Sequence, residues 1–78
     1  MLTAKQVRAA RVLLDMDQMQ LAAVSGLSLP MIQRMEASQS SVRGDAEDVW
    51  KLQKALEDAG VTFIEADGGG PGVRLKAF

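Results

Sequence analysis

Apolar residues recur along this chain at helical spacing in four stretches and thicken into strand-like runs in two more. Val7, Ala10 and Leu14 form one stripe, widened by Leu13. Thr3 with Gln6 has the form of a capping box, so a helix is predicted from Thr3 to about Leu14. Asp17 and Gln20 repeat the box ahead of Leu21, Ala22 and Val24, which share one side of a second, short helix. Ile32 and Met35 line a third, with Ser28 as its cap and Pro30 in its first turn, where no amide donor is missed. Gly26 stands between them, where a chain leaving a right-handed helix most easily takes a positive φ, and it predicts a tight turn over Ser25-Gly26-Leu27. Val49, Leu52, Leu56 and Ala59 mark a fourth, longer helix. Asp45 is its predicted cap, Asp48 sits at the positive end of its dipole, and Gly60 is its stop.

Beyond Gly60 the pattern changes. Val61 to Glu65 (VTFIE) is dense in β-branched and aromatic residues and reads as a strand, and Val73 to Lys76 (VRLK) alternates apolar and basic and reads as its return. Ala66 to Gly72 (ADGGGPG) is the turn between them. Its glycines do not make a phosphate-binding loop, because no Lys-Ser/Thr pair follows and no helix begins there. The chain thus divides into a helical part, 1–60, and a C-terminal hairpin, 61–78. Two such hairpins paired edge to edge about a two-fold axis would cover their open edges, so the hairpin is expected to serve dimerisation or an accessory role. Trp50, beside the stripe of an acidic helix, reads as core or dimer interface, with core favoured over a stacking platform for bases.

Two short helices joined by a turn of about three or four residues containing Gly describe a helix-turn-helix. Gln18, the Leu21-Ala22 pair, Gly26, Ser28, Ile32 and Glu36 stand in register with one version of it, and on these residues the chain resembles the Cro/repressor-type (XRE) family. The resemblance spans roughly residues 3 to 60. It implies a mainly α fold, a lambda-repressor-like bundle of about four helices, here followed by the β-hairpin. It also implies that Arg11 pairs with Glu36 and braces the recognition helix from inside the protein. Base contacts then fall at Ser28, Leu29, Pro30, Gln33 and Arg34, and a phosphate contact at Gln18.

The residue chemistry bears on those positions unevenly. Gln33 can bond adenine bidentately and Arg34 can do the same to guanine, though both also suit a plain helix surface. Leu29 and Pro30 depart from the usual pattern, since neither can hydrogen-bond a base; Leu29 can pack on a thymine methyl. Met31 fits partial burial or an exposed contact equally. The loop from Ala37 to Gly44 is shorter than in many members of the family. Its Ser38, Ser40, Ser41 and Arg43 suit phosphate contacts that set register, and equally an ordinary polar loop. Lys5, Arg8 and Arg11 form a basic face on the first helix, for which solvation is the ordinary role.

Composition narrows the function classes. The 78 residues include neither cysteine nor histidine, which removes disulfides, thiol nucleophiles, the usual zinc ligands and histidine bases. No catalytic constellation is legible among the scattered carboxylates, so no enzyme and no cofactor is expected. No apolar run approaches the ~20 residues that span a bilayer, and the N-terminus lacks a signal peptide's apolar core, so the expectation is a soluble, cytoplasmic protein with no membrane partner. A single core in a chain this size gives marginal stability, which favours a homodimer. The net charge of −1 is low for a ligand of phosphates, but it is unevenly spread. Residues 1–44 carry five bases against three acids, and residues 45–78 carry four against seven.

The expected function is therefore sequence-specific binding of double-stranded DNA by a homodimer on a palindromic operator, as a transcriptional regulator and by default a repressor. The alternative is a protein-interaction module of the same fold that binds another regulator or a toxin. The acidic C-terminal half and the apolar Leu29-Pro30-Met31 run support it.

Overall fold

Four helices and one antiparallel hairpin follow one another in the predicted order: α1 (Ala4–Leu13), α2 (Gln18–Ser25), α3 (Leu29–Glu36), α4 (Ala46–Ala59), β1 (Val61–Ile64) and β2 (Gly72–Leu75). The computed structural model describes residues 2–66 and 68–76. Met1, Ala77, Phe78 and Asp67, the last within the predicted turn, lie outside the described residues.

The helix ends follow from local chemistry. Thr3 Oγ1 accepts the Gln6 N–H at 3.1 Å while Gln6 Oε1 accepts the Thr3 N–H at 2.9 Å. Asp17 and Gln20 close the same box at 2.7 and 2.8 Å, so both predicted boxes are present. Gly26 ends α2 in the left-handed region at φ 76°, where a side chain would be strained, and its N–H donates to Ala22 O at 3.0 Å. Ser28 Oγ accepts the Met31 N–H at 3.3 Å and caps α3. Asp45 departs from expectation: it occupies the N-cap position of α4, but its side chain makes no capping hydrogen bond. Glu47 and Asp48 in the first turn supply the negative charge that the dipole favours there.

The core draws on every helix and on the hairpin. Val7, Leu21, Ile32, Met35, Leu52, Leu56 and Val61 are its largest fully buried side chains, with Ala4 and Ala10 permitting close approach to α1. Three sequence-based assignments are corrected. Trp50 is 61 % exposed and not core. At about 100° per residue it points well away from the Val49, Leu52 and Leu56 stripe, so α4 cannot bury both. Val24, assigned to the same side as Leu21, is 57 % exposed, because α2 carries apolar residues on every side and only one side meets the rest of the chain. Leu13 is 40 % exposed, since it lies off the line through Val7, Ala10 and Leu14.

The hairpin pairs Val61 with Leu75, Thr62 with Arg74, Phe63 with Val73 and Ile64 with Gly72. β2 starts one residue earlier than its sequence pattern suggests and β1 ends one residue sooner, and the Lys76 N–H still donates to Gly60 O at 2.8 Å. Val61 belongs to the helical core, and Phe63 and Val73 pack against it. Gln6 fastens the hairpin to α1. Its Nε2 donates to Ile64 O at 3.1 Å and to Gly72 O at 2.8 Å, so a buried side chain is satisfied at both ends.

The α1–α2 connection contains the one non-glycine residue with positive φ among the described residues, Asp15 at 53°. A side chain there costs about 1–2 kcal/mol, somewhat relieved for Asp. Asp15→Gly is expected to raise stability by up to about 1 kcal/mol. Thermal unfolding checks this, and a lower midpoint would show that the Asp15 side chain contributes more than the strain it brings.

Candidate nucleic-acid interface

α3 turns Ile32 and Met35 inward and leaves Gln33 and Arg34 exposed, as the 3.6-residue period requires. Ser28 and Pro30 are exposed at its N-terminal end, while Leu29 is half-buried. Ser28 Oγ is occupied as the cap acceptor but keeps its own proton to donate. Met31 is half-buried and packs against the core, which decides between its two readings.

The inner side of α3 is fixed at its C-terminal end by a buried carboxylate. Glu36 is only 4 % exposed. Arg11 Nε donates to its Oε2 at 2.6 Å and Arg11 Nη2 to its Oε1 at 2.7 Å, a bidentate pair of the strong kind. Arg11 Nη1 also donates to Met16 O at 3.2 Å. Gln18 Nε2 donates to Glu36 Oε1 at 3.2 Å, and Arg8 Nη1 donates to the main-chain oxygen of Glu36. The hydrogen bond to Glu36 is the main cause of a raised Arg11 pKa, with burial opposing it. α1, α2 and α3 are thus tied at one point.

Two of these partners were not visible in the sequence. Arg8 looked like a solvated base; its one signal was its position three residues before Arg11, hence on the same side of α1. Gln18 is half-buried and has given one of its amide protons to Glu36, leaving the other.

The loop after α3 is held rather than loose. The Ala4 N–H donates to Ser40 O at 2.9 Å, the Val42 N–H donates to Leu2 O at 3.1 Å, and Thr3 and Ser41 form an antiparallel bridge. Ser38 Oγ donates to Ser41 O at 2.6 Å and accepts the Ser40 N–H at 3.3 Å. Its proton is therefore committed within the loop. Ser40 and Arg43 are exposed, and Ser41 is half-buried. Between α3, this loop and the start of α4 lies an open cleft of about 810 Å³ whose walls include Arg34, Ser38, Arg43, Asp45 and Asp48.

The predicted contact residues, Gln18 aside, fall into two groups. Arg34, Ser38, Ser40, Ser41 and Arg43 share the cleft. Ser28, Leu29 and Pro30 stand at the other end of α3, about 6–9 Å along the helix from Arg34, with Gln33 exposed between. Gln18 belongs to neither group and is bonded to the buried Glu36. The exposed side of α3 offers guanidinium and amide donors on a braced helix, and no group of three His, Cys, Asp or Glu is placed to hold a metal among the described residues. No helix among them is long and apolar enough to cross a membrane. No protein-family model matches the chain, and no curated protein matches it.

Proposed function

We infer that α2 and α3 act as a helix-turn-helix of the Cro/repressor type and that the protein binds duplex DNA sequence-specifically, as a homodimeric regulator of transcription. The observation that carries this reading is the division of α3 into two sides. One side is anchored through Glu36 to Arg11, and the other presents Gln33 and Arg34 to solvent. A helix held rigidly from behind can enter the major groove without losing the order that base reading requires. In this mechanism Arg34 reads guanine and Gln33 reads adenine, with Leu29 against a thymine methyl and Ser28 assisting. Arg43, Ser40 and the remaining amide proton of Gln18 bond phosphates and set the register. Two copies reading successive grooves require half-sites about one turn, ~34 Å, apart.

Selection from random duplex DNA by the purified protein tests the reading. A two-fold-symmetric motif with half-sites about one turn apart supports it, and absence of enrichment at low salt rejects it. Within the enriched site, Arg34→Ala should weaken specific binding by ~1–3 kcal/mol and relax preference at one base pair, with thermal stability unchanged. Equal loss on every sequence would place Arg34 on the backbone.

The protein-interaction reading draws on the mixed charge of the cleft, where Asp45 and Asp48 face the same space as Arg34 and Arg43. It predicts indifference to DNA at low salt, whereas DNA binding predicts a steep loss of affinity as salt rises.

A further inference from the structure

α4 carries its largest side chain mostly uncovered by the described residues. Val49, Leu52 and Leu56 face the core, and Trp50, the protein's sole tryptophan, is left exposed. An indole in water on a rigid helix is the kind of side chain that anchors interfaces, where Trp is enriched and contributes most when fully desolvated. The residues around it are arranged in a particular way. At helical spacing, Glu47 precedes Trp50 by three positions and Lys54 follows it by four, while Ala46 is small enough for a second helix to come close.

That order of charges identifies the occupant. If two α4 helices cross antiparallel at Trp50, each Glu47 lies opposite the other copy's Lys54, and the two indoles meet on the axis. The patch is complementary to itself, which is what an isologous contact demands and what an unrelated partner would have no reason to match. Within one chain these charges are only loosely engaged. Lys51 Nζ stands 3.7 Å from Glu47 Oε1 and Lys54 Nζ 3.2 Å from Asp58 Oδ1, all well exposed, and such pairs are worth little. Exchanging them for contacts across the axis is therefore easy. We propose that the outer face of α4, centred on Trp50 and flanked by Glu47 and Lys54, is the surface through which two copies of this chain associate. This rests on the homodimer in the functional reading above and not on DNA recognition, and it gives the contact to α4 instead of the hairpin.

The test uses the full chain, with sedimentation velocity and Trp50 emission followed over a dilution series. The expected result is a dimer whose emission lies to the blue and moves to the red on dilution. Trp50→Ala should raise the dimer dissociation constant at least tenfold with the helical circular dichroism unchanged, as befits an exposed residue. Glu47→Lys and Lys54→Glu should each weaken association by opposing like charges, and the double swap, which restores opposite charges across the axis, should recover it. A dimer undiminished by Trp50→Ala, or a double swap no better than the single variants, overturns the assignment to α4. A chain monomeric throughout overturns it together with the homodimer. Recognition of DNA is judged separately, by whether a single half-site is still enriched.

Discussion

Glu36→Ala is expected to lower the free energy of unfolding by about 3–5 kcal/mol, the range for removing one member of a buried ion pair. The cost arises less from the lost attraction than from what is left behind. The Arg11 guanidinium, with its side chain 18 % exposed, would keep its charge, its Met16 contact and the field of Asp17 but lose the carboxylate that it bonds. Gln18 would lose its acceptor as well, whereas Arg8 bonds the main chain of residue 36 and would keep its partner. Glu36→Gln, which retains an acceptor without the charge, should therefore cost less than the alanine variant. Arg11 gives the pH dependence a definite sign. Its pKa is raised in the folded state, so its contribution is fully present below the unfolded value and disappears only as pH rises through the folded one, in strongly alkaline solution. Urea unfolding at neutral pH measures the effect, and an unchanged midpoint would deny Glu36 its bracing role.

Leu21→Ala should cost about 2–5 kcal/mol, with Val24→Ala, on the same helix, within about 0.5 kcal/mol of the parent. Leu21 is fully buried and is the main apolar anchor of α2, whose remaining buried residue is Ser25. A cavity at Leu21 therefore loosens the whole of a short helix, while truncating Val24 removes surface that water already reaches. Equal losses at the two positions, read from the same denaturation curves, would mean that α2 is seated with a different side inward.

That contrast shows where sequence reasoning stops. The ends of α1, α2 and α3 were legible because capping is local: Thr3, Asp17 and Ser28 satisfy amides three residues away, and Gly26 takes a conformation that its lack of a Cβ permits. The seating of α2 was not, because apolar residues surround it and period alone cannot choose among them. Trp50 is the opposite case: the acidic helix argues against base stacking, but the angle of Trp50 on α4 keeps it out of the core all the same. The Arg11–Glu36 pair followed from the resemblance. Arg8 and Gln18 on the same residue did not, because a bond from α1 to the main chain of α3 leaves no trace in residue type. In the candidate interface, Gln33 and Arg34 are exposed as expected, whereas Ser38 spends its proton on Ser41, a contact set by the path of the loop and not by composition.

Gln6 also has something to say about how the molecule is made. Its side chain joins the capping box of the first helix to carbonyls 58 and 66 positions further along. α2 and α3 can pair as soon as both have been made, whereas α1 and α2 also pack on α4, and α1 on β2, across long stretches of chain. The amide of Gln6 must then wait in water, or be enclosed without an acceptor, until β2 has been synthesised. Closing so long a loop is the slow kind of step in folding. Seating of the hairpin on α1 is thus set by the arrival of Gly72 beside a residue of the first helix's capping box.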